Sequence, residues 1–195
     1  MSLIEPMVTA APLLAGWTTT SLFYRRRLAA ARRDPLTSLL TREGWEKAAL
    51  RRILQGNAAV AVIDLDGFKG VNDTFGHAAG DAVLKVTGHR LHLWAGASNG
   101  AAGRLGGDEF ALVLTADDFQ AGIEQLHELL TAPVDWQGKQ LAVGASIGAV
   151  PVDGLTLSEA LAHADQAMYE VKGNGGRRGP RRHQDATQDR PEVAQ

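Results

Sequence analysis

The chain has 195 residues, 45% hydrophobic and 22% charged, which allows one buried core with extensions and excludes wholesale disorder. Lys and Arg number 20 against 22 Asp and Glu, a net charge of −2, whereas a dedicated nucleic-acid binder carries a clear basic excess. There is no cysteine, so disulfide scaffolds, thiolate zinc sites and cysteine nucleophiles are excluded.

Residues 1–33 read as a lead-in helix. The 18 residues from Met7 to Tyr24 carry no charge, and Arg25, Arg26, Arg27, Arg32 and Arg33 come directly after them. That length just reaches a membrane span, although Pro12, Gly16 and Thr18 dilute it. Two readings stand side by side. One is a span or surface anchor over residues 7–24, whose arginines keep the C-terminal side in the cytoplasm. The other is an amphipathic helix that packs on a partner or on the domain.

From Asp34 the pattern becomes globular. Thr41 is a good N-cap for a helix carrying Trp45, Ala48, Leu50 and Ile53, ended by Asn57. Residues 58–65 (AAVAVIDL) predict a buried strand. Asp81 is placed to cap a helix with Val83, Leu84, Val86, Leu91 and Trp94 as its apolar positions. Strands near Ala102–Leu105 and Phe110–Leu114 flank a Gly-Gly-Asp turn, the spacing of a β-hairpin. Phe119, Ile123, Leu126, Leu129 and Leu130 mark another helix, and a second hairpin is expected around Gly138 with Leu141–Val152 as its longer arm. A last helix, about Leu157–Lys172, sets Leu161, Ala164, Met168 and Val171 on one face. Hairpins mixed with helices predict an α+β fold rather than a purely parallel sheet. Residues 178–195 are polar and read as a disordered tail.

Two segments carry chemistry. Asp64 and Asp66 fall on the same side of the strand end and make a hard, oxygen-rich site suited to Mg²⁺. Lys69 adds a point charge for a phosphate. Gly106 and Gly107 permit a tight turn and close backbone approach to a ligand, and Asp108 and Glu109 project acids from it. Two acid clusters on adjacent strands are how a two-metal phosphoryl-transfer site is built. Each segment also has an ordinary reading, as solvated strand-end acids and a plain Gly-Gly hairpin. His89 and His92, with no matching acid or third ligand, read as helix surface or partial core and not as metal ligands.

The run Arg104-Leu-Gly-Gly-Asp-Glu-Phe110 resembles the signature of the GGDEF family, the diguanylate cyclases. Four further segments resemble the family in the same order: Asp34–Arg42 (DPLTSLLTR), Asp64–Asp81 (DLDGFKGVNDTFGHAAGD), Ser146-Ile147-Gly148, and Ala164–Tyr169 with Lys172. The resemblance spans about Asp34–Arg177 and implies a palm-like cyclase domain, a central, mostly antiparallel sheet flanked by helices. It implies that two GTP-loaded copies meet as a homodimer and yield cyclic di-GMP and two pyrophosphates. By the same resemblance, Asp64, Glu109 and the Leu65 carbonyl hold two Mg²⁺ per site, with Mn²⁺ an alternative. Asp108 and Glu109 are then catalytic, Asn72 and Asp81 read guanine, Lys69 and Lys172 contact phosphates, and Gly106 and Gly107 lie against the nucleotide.

The sequence departs from the family at three places. Gly67 replaces a larger residue. Gly176 stands where the family carries Arg, with Arg177 one position later. Ala97 and Gly100 occupy the places of the Arg and Asp of the family's inhibitory product site, so no such site is expected. The 33 residues ahead of the match are too few for a sensory module. A second reading is a cyclase-like domain that holds GTP without turnover. Asp-Leu-Asp-Gly after an apolar strand is also similar to phosphatases of the haloacid dehalogenase type, but those carry Thr or Val where Phe68 stands.

Overall fold

The computed structural model describes residues 32–117 and 119–175. The expected membrane segment at 7–24, the tail at 178–195, and the Gly176 and Arg177 positions lie outside the described residues. Arg33, expected at the end of the lead-in helix, instead forms an isolated antiparallel bridge with Leu40. No helix among the described residues is long and apolar enough to cross a membrane.

The elements in chain order are β1 (Leu40–Thr41), α1 (Arg42–Ile53), β2 (Ala58–Asp66), α2 (Phe68–Phe75), α3 (His77–Ala97), β3 (Ala101–Gly106), β4 (Glu109–Thr115), α4 (Phe119–Thr131), β5 (Val134–Trp136), β6 (Lys139–Leu141), β7 (Gly144–Pro151) and α5 (Leu157–Gly175). Five strands form one sheet in the order β1-β3-β4-β2-β7, and β5 and β6 form a separate hairpin. Among the described residues only the β1–β3 pairing is parallel, so the expected mostly antiparallel α+β sheet flanked by helices is what forms.

Strand alternation divides the core. On β2, Ala59, Ala61, Ile63 and Leu65 pack with Val83, Leu84 and Leu91 of α3 and Leu126 and Leu130 of α4. The intervening residues Ala58 and Val60 pack with Trp45 and Ala49 of α1 and Ala160 of α5, and Val62 meets Ala164 and Met168 of α5. This two-residue period explains the unbroken apolar run: β2 is central and covered on both faces. It also assigns the strand-end acids. Asp64 and Asp66 continue the Val60–Val62 row, on the α5 face.

Thr41 caps α1 as expected, its hydroxyl accepting from the Gly44 amide at 3.3 Å. The buried face of α1 is Trp45 and Ala49, while Leu50 is 49% exposed. On α5, Ala164 and Met168 are buried, Leu161 is half-buried, and Val171 is exposed. Asp81 is not a cap. The segment from Phe68 folds as a short extra helix, α2, separated from α3 by Gly76 at φ +83°. Helix α3 therefore starts at His77, and Asp81 lies one turn inside it, exposed. The expected long arm Leu141–Val152 is also divided. The three residues of β6 match the three of β5, and β7 then leaves the hairpin to pair with β2 in the main sheet.

Candidate active site

The site grows from the end of β2. Asp64 is the direct cross-strand partner of Glu109 on β4, and Ser146 on β7 is its partner on the other side. Glu109 falls in the same alternation as Ala111 and Val113, which pack on the α1/α5 face. Both carboxylates therefore project to that face, and directly opposed side chains lie about 5 Å apart at Cβ. The backbone tightens this corner, with the Leu65 amide donating to the Asp108 carbonyl at 3.4 Å.

Helix α5 brings a cation to the acids. Met168 packs on Val62, and one turn further along Lys172 places Nζ 2.6 Å from Asp64 Oδ1. This hydrogen bond raises the Lys172 pKa above the ordinary amine value. Burial opposes the rise, and the charges of Asp64, Asp66 and Asp108 add to it. Asp66 is held separately: the buried Ser146 hydroxyl lies 2.9 and 3.0 Å from its two oxygens.

The turn between β3 and β4 is made by Gly106 and Gly107, at φ +156° and +50°. The second value lies in the left-handed region that glycine enters without strain. Arg104 pins the turn from behind. Its Nε and Nη2 donate to the Gly107 carbonyl at 3.0 and 2.7 Å, and its Nη1 lies 3.2 Å from each Asp34 oxygen. Asp34 also accepts from the Thr37 amide and hydroxyl at 2.8 and 2.7 Å. Burial alone would raise the Asp34 pKa, but these bonds and the Arg104 charge outweigh it and hold the carboxyl below its ordinary value. The stability Asp34 contributes is thus full above the unfolded carboxylate pKa and lost as pH falls through the lowered one.

Asn72 on α2 reaches α3. A Cβ on Gly80 would sit 2.1 Å from Asn72 Oδ1 and 2.9 Å from its Cγ. The side-chain amide therefore lies directly over Gly80, next to Asp81. Lys69 is exposed on the first turn of α2 and forms no ion pair among the described residues. His89 and His92 are exposed on α3.

Among the described residues, no group of three His, Asp or Glu side chains is gathered as a metal site. The donors present still fit a hard divalent ion. Two carboxylates share one face, and a cationic ammonium already sits against one of them. The sequence singled out Asp64, Asp66, Asp108 and Glu109, and the Lys172 charge senses three of these four. Sequence reasoning gave no role to Arg104, Asp34, Ser146 or Gly80. Arg104 and Asp34 are 70 positions apart, so no local pattern announces their pairing.

An uncharacterized 19.3 kDa protein from the repSA 5′ region of Streptomyces ambofaciens is 49% identical over 184 residues, covering 91% of this chain and 97% of that one. The diguanylate cyclase DgcP of Pseudomonas aeruginosa is 38% identical over 152 residues, which are 73% of this chain but only 22% of DgcP. A solved sensory box/GGDEF family protein from Caulobacter crescentus superposes with a TM-score of 0.67 at 38% identity, covering 74% of this chain and 99% of that one. Residues 31–178 match the family described as diguanylate cyclase, GGDEF domain, and the chain belongs to that family.

Proposed function

We propose that residues 34–177 form a diguanylate cyclase domain that condenses two GTP molecules into cyclic di-GMP, with the reaction centre completed by a second copy of the chain. The observation that carries this reading is the opposed pair Asp64 and Glu109 on the α5 face, with Lys172 beside them. In each half-reaction a 3′-hydroxyl oxygen attacks the α-phosphorus of the other nucleotide. One P–O bond forms, the bond to the β-phosphate oxygen breaks, pyrophosphate leaves, and the hydroxyl gives up its proton. GTP as substrate places the domain on the cytoplasmic side of the membrane.

Asp64, Glu109 and the Leu65 carbonyl would hold the two divalent ions, Mg²⁺ or Mn²⁺, whose chemistry is to neutralise charge developing on the phosphate oxygens. The chain's own residues do the rest. Asp108, at the turn, would accept the hydroxyl proton. Gly106 and Gly107 carry no side chain and let the backbone lie against the triphosphate. Lys69 and Lys172 supply ammonium groups to its oxygens. Asn72 and Asp81 read the base: a carboxylate accepts from guanine N1–H and the exocyclic amine, and an amide serves the remaining edge.

The test is incubation of the purified full chain with GTP and Mg²⁺, followed by nucleotide separation. Asp108→Ala and Glu109→Ala variants serve as controls. Cyclic di-GMP from the wild type alone supports the reading. A wild type that binds GTP but matches the controls would instead mark a GTP-holding module, a reading favoured only by Gly176 in place of the family's Arg.

Local packing sets two further expected results. Gly80→Ala displaces the Asn72 amide from α3 and is expected to raise the KM for GTP about ten-fold, the effect of one lost polar contact, with kcat changed less. Steady-state kinetics checks this, and an unchanged KM would remove Asn72 from base recognition. Cyclic di-GMP added to the assay is expected to give no noncompetitive inhibition through the segment before the Gly-Gly turn. Ala97 has no charge to offer, and a Cβ at Gly100 would meet the Val113 carbonyl oxygen at 2.3 Å, so even the stem of an acidic side chain has no room there.

A further inference from the structure

Lys172 and Asp64 are separated by 108 positions, yet they form the ion pair at the centre of the site. The Lys172 side chain is 45% exposed and the Asp64 side chain 14%. The more exposed partner of the pair is thus the lysine, on the last turn of α5, and the more buried partner is the acid, on the central strand. An acid row on one face of a sheet repels itself, and the ammonium offsets that repulsion. It does so from the oxygen that a divalent ion would need.

Resting on the cyclase reading, we propose that Lys172 is the resident counter-cation of Asp64 and is exchanged for the incoming divalent ion. The ion takes the carboxylate, and the released ammonium turns to the triphosphate that arrives with it. Two events that resemblance alone treats as separate, metal ligation by Asp64 and phosphate contact by Lys172, become one exchange. The long, flexible lysine stem permits this without backbone movement, and its three donors serve either a carboxylate or a phosphate. The exchange makes the metal-free protein a poor binder of divalent ions in the absence of nucleotide, because the ion has to displace a cation already in place.

The test is a titration of the full chain with Mn²⁺ alone, without nucleotide, monitoring loss of the free Mn²⁺ paramagnetic resonance signal. Wild type is compared with Lys172→Met, Lys172→Arg and Asp64→Asn, with thermal melting to verify folding. Lys172→Met is expected to tighten Mn²⁺ binding about three- to ten-fold, the effect of removing one close charge from a partly solvated site. The gain should persist in high salt, where a charge acting only through space is screened. Lys172→Arg, which keeps the cation, should stay near wild type. If Lys172→Met binds Mn²⁺ no better while Asp64→Asn loses binding, the exchange is overturned and the metal site stands. If neither variant changes Mn²⁺ binding, both the exchange and the assignment of Asp64 as a ligand fall.

Discussion

Glu109→Gln is expected to lower the kcat for cyclic di-GMP formation by about a hundred- to a thousand-fold, the cost of removing one charged group from a preorganised phosphoryl-transfer site. Its melting temperature should hold or rise slightly. Glu109 is exposed at the start of β4 and directly opposes Asp64, and like charges in that relation destabilise a sheet by a few tenths of a kcal/mol to about 1 kcal/mol. Gln keeps the shape and removes the repulsion. Loss of turnover with unchanged or improved stability is the signature of a residue retained for chemistry. The paired measurement is product formation and a thermal melt on the same preparation. Activity within about three-fold of wild type would place Glu109 outside the reaction centre. Asp64→Asn is a less clean test, because it also strips Lys172 of its partner.

Gly148→Ala is expected to have the largest effect on stability. A Cβ there would lie 2.0 Å from the Ala164 carbonyl oxygen, 2.2 Å from the Met168 amide nitrogen and 2.8 Å from its Cα. These are backbone atoms of α5, so no side chain can rotate aside and the helix has to lift off β7. Overpacking of this kind costs about 3 kcal/mol, or about 10 °C in Tm for a domain of this size. The lifted helix also carries Lys172 away from Asp64, so turnover should fall in the fraction that stays folded. A denaturant or thermal melt beside an activity assay checks both. A Tm within about 2 °C of wild type would mean that α5 does not sit on the sheet at Gly148.

The motif Ser146-Ile147-Gly148 was visible in the sequence, but its reason was not. Ser146 braces Asp66 and Gly148 admits α5, and both depend on elements distant in the chain. What was legible locally was β2 with its acids, because an apolar run ending in Asp-Leu-Asp announces a buried strand with polar ends. The Gly-Gly turn was legible because few other sequences permit it. Helix α2 was not. It has eight residues, with Phe68, Val71 and Phe75 at helical spacing, but Gly67, Gly70 and Gly76 and the Asn72-Asp73 pair make so short a run read as a turn. Missing it moved the expected cap of α3 five residues along, from Gly76 to Asp81, and made an acid in the second turn look like a cap. The apolar run 141–152 misled for a different reason. Hydrophobic alternation marks a strand but does not say which neighbour it pairs with, and only tertiary context divided it between β6 and β7.

Residues Tyr169 to Gly173 at the end of α5 are all exposed, whereas Ala164 and Met168 are buried. The helix is therefore packed through its middle, while its last turn buries little apolar surface and is tied to the sheet by the Lys172–Asp64 pair, so unwinding that turn is expected to require less free energy than melting the sheet. Lys172 sits on that turn. On warming, the fraction of molecules with a fully assembled centre falls first, while the strands remain paired. Amide protons of residues 169–175 are expected to trade with solvent deuterium sooner than those of β2, and turnover by the proposed centre to fade at temperatures where bulk spectroscopy still records a native protein.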